Sequence, residues 1–170
     1  MRRAEKTINY RCYVDDDELL GVTTVELPGL EAMTETLHGA GIAGEIEVPV
    51  MGQFGSITAT LNFSSVTRSQ VRLLAPVQQN LVLRASVQKH DSNTGQVMNI
   101  PLRYEITGRT KSSSPGTMDV AKPMEGSVEL EVTAIAFFEG GAERFEIDKY
   151  NMIFRVDGVD YLAGVRNDIG

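Results

Sequence analysis

Apolar side chains recur at every second position along much of this chain, and that period suits strands and little else. Ile57, Ala59, Leu61 and Phe63 alternate with Thr58, Thr60 and Asn62. Leu81, Leu83, Ala85 and Val87 alternate with Arg84, Ser86 and Gln88, with Val82 breaking the polar face. Met98, Ile100, Leu102, Tyr104 and Ile106 alternate with Asn99, Arg103, Glu105 and Thr107, and Val128, Leu130 and Val132 with Glu129, Glu131 and Thr133. Successive side chains of a strand point to opposite faces, so each run predicts one buried and one wet face. Over 134–138 both faces are apolar, which predicts a region of sheet covered on both sides. The fold class this implies is mainly β: a β-sandwich or split barrel with one flanking α-helix.

Turn and cap chemistry divides the strands. Ser64 or Ser65 can cap a helix over 66–74, with Thr67, Val71 and Leu74 on one face, and Pro76 stops it. A second helical segment over 30–37 carries a weaker pattern, and the tail from Leu162 has room for a last helical turn. Asn93-Thr94-Gly95 predicts a hairpin joining strands at 81–89 and 96–107. Asp157-Gly158 predicts a two-residue turn between 152–156 and 159–162, and the acidic run from Asp15 to Glu18 a turn between 10–14 and 20–27. Neither an internal repeat nor a linker interrupts the chain, so residues 1–170 read as a single domain. That length corresponds to a radius of gyration of roughly 15 Å, enough for a real core.

The formal charge of −7, with basic residues scattered singly, argues against a clamp on nucleic acid. An acidic surface repels DNA, and it equally serves solubility. The single cysteine, Cys12, excludes an intrachain disulfide, fits a reducing compartment, and reads as a small buried residue of the 10–14 strand. Charged residues at 1–6 lead into no apolar run, so no signal peptide is expected, and no apolar stretch approaches membrane-span length, so no membrane anchor is expected.

Several motifs invite chemistry and decline it on context. Gly39, Gly41 and Gly44 spell G-x-G-x-x-G, but a dinucleotide loop follows a buried strand and opens a helix. Here a polar stretch precedes and an alternating, proline-bearing strand follows, so the glycines read as a flexible turn feeding that strand. Asp15 to Glu18 lack the spaced ligands and central glycine of an EF-hand loop and read as a solvated turn. His38 and His90 have no partners at metal-ligand spacing. Glu129 and Glu131 share a strand face about 7 Å apart, a separation that glycosidase acids use, but without an aromatic platform they read as a wet surface or the wall of a lumen. No catalytic, cofactor-binding or metal-ligating residues are predicted, and no cofactor. The polar segment 111–123 is long for a connection and carries two prolines; such loops bind partners or are simply mobile.

An ordered set of segments resembles the major tail tube proteins of contractile phage tails. Val25-Glu26-Leu27-Pro28 matches their Leu-Pro turn after a first strand, and residues 38–50 their glycine-rich turn running into an alternating strand. Asn151, Asp157, Gly158 and Asp160 match a C-terminal Asn-x-x-x-x-x-Asp-Gly-x-Asp pattern, followed by a short basic and apolar tail. Asn167 and Asp168 depart from the tail pattern. The order of segments agrees over nearly all 170 residues. The resemblance implies a structural role: six copies form a ring, and rings stack into a hollow tube inside a contractile sheath, as in phage tails and R-type bacteriocins. It implies a sheath protein, baseplate and terminator proteins as partners, assembly in the bacterial cytoplasm, and, if the particle is a phage rather than a DNA-free one, DNA that passes without specific binding. Subunit-interface candidates are Gly39, Gly41, Gly44, Ser113, Pro115, Met118 and Val120. Lumen candidates are Glu45, Glu47, Thr58, Thr60, Glu129 and Glu131. The alternative is a monomeric ligand-binding β-barrel with an apolar interior cavity.

Overall fold

The alternating runs become strands of one bent antiparallel sheet. The computed structural model describes residues 2–15 and 18–170. In chain order the elements are β1 (Arg2–Val14), β2 (Glu18–Leu20), β3 (Val22–Glu26), β4 (Ala32–Leu37), β5 (Ile46–Phe54), β6 (Thr58–Phe63), α1 (Arg68–Arg72), β7 (Gln79–Asp91), β8 (Val97–Ser114), β9 (Gly126–Glu139), β10 (Ala142–Asp148), β11 (Ile153–Val156), β12 (Val159–Asp160) and α2 (Ala163–Ile169). The sheet runs β12-β11-β10-β9-β8-β7-β1-β2, with β6 added to β9 and β3 to β6. Strands β4 and β5 form a separate two-stranded sheet.

The architecture turns on β9. One edge pairs with β8 along its length, while the other pairs with β6 over 126–131 and with β10 over 134–139. Between these halves the register with β8 slips, where Thr107 faces Ala134 and Gly108 faces Val132. An extra residue of this kind bends a strand and raises its twist. The sheet divides there into two wings and closes as a split barrel. Ala59, Leu61 and Phe63 of β6 are buried with Cys12 and Val14 of β1, Leu81 and Leu83 of β7, and Val128, Leu130 and Val132 of β9. Side chains fill the interior. Burial pushes the Cys12 thiol up to about 12, which leaves it protonated at neutral pH.

Several local expectations shift. Residues 32–37 are a strand, not a helix, because they pair with β5. Helix α1 starts at Arg68, and its cap is Thr67, whose hydroxyl accepts from the Gln70 amide at 3.2 Å, rather than Ser64 or Ser65. Its inward residues are Gln70 and Leu73, while Val71 and Leu74 are about half exposed. The Leu73 carbonyl accepts from the Thr110 hydroxyl, and the Gln70 amide donates to the Ser114 carbonyl at 3.3 Å, so β8 fixes the rotation of the helix. The tail does form α2, which makes a second short helix. The turns at 93–95 and 157–158 fall where expected; Asp16 and Asp17 of the acidic turn lie outside the described residues. Over 134–138, Phe137 stacks on Tyr104 at 4.6 Å on one face. On the other face Phe138 is covered by the Arg103 guanidinium, 4.6 Å above its ring, and not by a second sheet.

Candidate functional site

The glycine-rich turn is the tip of a projecting arm. Strands β4 and β5 pair through Leu37–Ile46, Thr36–Glu47, Glu35–Val48 and Thr34–Pro49. The pleat puts Leu37, Ile46 and Val48 on one face with Glu35, and Thr34, Thr36, Glu47 and Pro49 on the other. Every one of these residues is exposed. A ribbon of two strands is marginal in water unless its apolar face is packed. Gly39, Gly41 and Gly44 at the tip have φ of +155°, +92° and +107°, and a Cβ added at any of them would meet open space. Backbone conformation, not crowding, requires glycine there.

The base of the arm is fixed by the C-terminal part of the chain. The Gly55 amide donates to the Glu31 carbonyl at 3.0 Å, and the Lys149 ammonium to the Gly55 carbonyl at 2.6 Å. Phe54 meets the Phe154 ring edge-on at 5.2 Å. A Cβ on Gly52 would fall 2.5 Å from the buried Leu162 side chain, so this close approach admits only glycine. Arg166 ties the same corner, donating to Asp160 and to the Met152 carbonyl, each at 2.6 Å. That guanidinium holds the Asp160 carboxyl below the usual range.

The remaining interface candidates lie elsewhere, at the β8–β9 end. Ser113 belongs to β8, which continues to Ser114 and shortens the expected 111–123 loop to 115–125. The loop is clamped at its base: the Thr117 amide donates to the Met124 carbonyl at 2.8 Å and the Met124 amide to the Ser64 carbonyl at 2.9 Å. Beyond the clamp its tip lifts two apolar side chains into solvent, Met118 at 85% and Val120 at 91% exposure.

Four of the six lumen candidates come together. Thr58 faces Glu131 and Thr60 faces Glu129 across β6 and β9, on the wet face of the barrel. Ser56 donates to both Glu131 carboxylate oxygens at 2.9 and 2.7 Å, and Ser112 to Glu129 at 3.3 Å, with the Lys111 ammonium 3.6 Å from Glu129. Braced, partly exposed carboxylates beside lysine make a polar face. Glu45 and Glu47 do not share it; they sit on the arm.

The structure also gathers residues that the sequence scatters. Arg11, Arg84 and Arg103 are successive register partners on β1, β7 and β8. Only the Arg84–Arg103 half was open to reading, through the 93–95 turn, and a one-residue slip there would have hidden it. A second missed feature is an aromatic hollow of about 480 Å³ at the arm base, lined by Phe54, Tyr104, Phe137, Phe145 and Phe154 with Leu30.

A filled barrel with a projecting, uncovered ribbon has the build of an assembly subunit rather than of a container for a small ligand. The sequence profile of the family described as phage tail tube protein FII matches residues 4–170. The chain belongs to this family and is a structural tail tube subunit. It is 26% identical over 149 residues to the tail tube protein of Escherichia phage P2, covering 86% of each chain. Among solved structures it shares the fold of the sheath/tube terminator of an extracellular contractile injection system, PVC, with a TM-score of 0.55, 11% identity, and coverage of 79% of this chain and 96% of that one. The PVC sheath-tube complex gives a TM-score of 0.54 at 11% identity, covering 76% and 88%.

Proposed function

We propose that six copies of this chain close into a ring and that rings stack into a hollow tube inside a contractile sheath. The observation that carries this reading is the arm, an amphipathic ribbon whose apolar face is exposed and covered by none of the described residues. A face of that kind is stable in water only when another molecule packs on it. Gly39, Gly41 and Gly44 at the arm tip, and Ser113 at the end of β8 with Pro115, Met118 and Val120 on the loop that follows it, form the contacts between copies. Joining sheets edge to edge around the ring removes open strand edges that invite aggregation. Thr58, Thr60, Glu129 and Glu131 line the channel, whose polar wall lets DNA or another cargo slide without binding. The role is mechanical and not enzymatic. Sheath, terminator and baseplate proteins surround and end the tube, which is assembled in the bacterial cytoplasm and acts within a tail or contractile particle.

Purified protein examined by size-exclusion chromatography and negative-stain microscopy tests this. Rings or tubes with six-fold end views are expected. A protein that stays monomeric as concentration rises, and that takes up apolar probes, would instead be the ligand-binding barrel.

A further inference from the structure

The loop over 115–125 and the aromatic hollow at the arm base sit at opposite ends of the same two strands. The loop joins β8 at Ser114 to β9 at Gly126. The hollow, about 480 Å³ in volume, takes Tyr104 from β8 and Phe137 from β9, with Phe54, Phe145, Phe154 and Leu30 around them. Strand rise places Ser114 roughly 33 Å from Tyr104. A copy therefore cannot put its own loop tip into its own hollow, whereas a second copy displaced along β8 can.

Both ends leave apolar surface open. Met118 and Val120 are the most exposed large apolar side chains among the described residues. They do not ride on a slack loop. Below them the Thr117 amide is tied to the Met124 carbonyl. Between them the Asp119 carboxylate accepts from the Val120 amide at 2.8 Å and from the Lys122 ammonium at 2.6 Å. A tip ordered in this way has little freedom left to lose on docking. At the hollow, all five aromatic rings are only partly buried. An unbranched thioether fills an irregular gap and packs favourably against aromatic rings.

The charges match as well. Arg144 and Asp157 also line the hollow and pair at 3.3 Å, with Glu139 3.4 Å from Arg144. Lys122 and Asp119 make the corresponding pair on the tip. Neither end offers a free charge, but two ion pairs laid antiparallel put each charge beside its opposite. Exposed pairs add little affinity, so they set the register while the apolar side chains supply the attraction. We propose that Met118 and Val120 of one copy enter the aromatic hollow of a second copy, with Lys122 beside Asp157 and Asp119 beside Arg144. This rests on the reading of the chain as a self-assembling tube subunit and names what its loop tip meets. Because tip and hollow are different patches, each copy uses both, and the contact propagates head to tail along β8 as stacking requires.

The test is disulfide trapping between two full-length variants, Met118→Cys and Leu30→Cys. Leu30 is exposed, and the native Cys12 is fully buried and does not compete. Tubes assembled from an equal mixture and oxidised should yield a covalent dimer with one chain of each kind. The chain has no tryptophan, so Met118→Trp gives a sole reporter whose emission should move to shorter wavelength on assembly. Met118→Asp with Val120→Asp should leave the thermal melt in place and lower tube yield at least about tenfold. Leu30→Lys should do the same from the other side; should it fail to fold, the tip variant and the trapping still decide. Tubes without the mixed dimer, a Met118→Trp emission unchanged by assembly, or normal tube yield from the tip variant would overturn the contact. Wild-type protein that never forms tubes overturns the assembly reading and this contact together; wild-type tubes without the mixed dimer overturn the contact alone.

Discussion

Strands β5 and β6 read alike and live differently. Ile46, Val48 and Val50 alternate with Glu47 and Pro49 just as Ala59, Leu61 and Phe63 alternate with Thr60 and Asn62. In β6 every second residue is buried; in β5 the residues from Ile46 to Met51 are all exposed. Period two reports that a strand has an apolar face. It does not report whether that face is covered by the same chain or by another. In a subunit of an assembly, the distinction separates residues that fold the protomer from residues that join protomers.

That contrast can be broken by substitution. The largest effect on the protomer is expected from Leu61→Ala, which empties a fully buried site and should cost about 2–5 kcal/mol in urea unfolding. If Val48→Ala on the arm cost the protomer as much, the division would fail; it should change stability by no more than about 0.5 kcal/mol. Conversely, Ile46→Asp with Val48→Asp should leave the melting curve in place and abolish tubes, a loss of at least about tenfold in yield by sedimentation. Gly41→Val imposes a side chain at φ +92° and should strain the tip by about 1–3 kcal/mol. Local strain of that size should show as slower ring stacking in light scattering, with the body's amide protection unchanged.

Deleting residues 117–122 removes the exposed Met118 and Val120 and should leave a folded monomer with weakened assembly. Normal tubes would remove that loop from the interface. The smallest effect concerns acid. Arg166 depresses the Asp160 carboxyl, so its contribution to the C-terminal corner is complete above the ordinary aspartate value of 3.8 and lost as pH falls through the depressed one. Loosening of α2, followed by amide shifts, should therefore begin only below that value. Asp160→Asn should abolish this acid step.

Local pattern made much of the body legible. The alternation in β6 to β9 and the turns at 93–95 and 157–158 are properties of neighbours in sequence, and they fall where those neighbours place them. What pairing decides was not legible. Residues 30–37 carry Leu30, Met33 and Leu37 at helical spacing, yet the ladder with β5 draws them into β4. Val71 and Leu74 looked like the inner face of α1, but hydrogen bonds from β8 rotate Gln70 and Leu73 inward. Of the site, the arm tip and the Met118–Val120 tip were visible as glycine-rich and proline-bearing stretches. The arginine row was not, because Arg11 reaches Arg84 only through the long-range pairing of β1 with β7.

The close seat of Gly52 under Leu162 has a consequence for when the protein becomes competent. The two strands of the arm leave the ribosome long before Leu162, Lys149 and Phe154 are made. Until they are, the ribbon can form but has nothing to set its direction. Nascent chains crowded on one messenger thus carry unaimed arms, and on the proposed assembly aligned polymerisation would wait on synthesis passing residue 162. On that reading the geometry would work as a clock, keeping half-made copies from joining a tube.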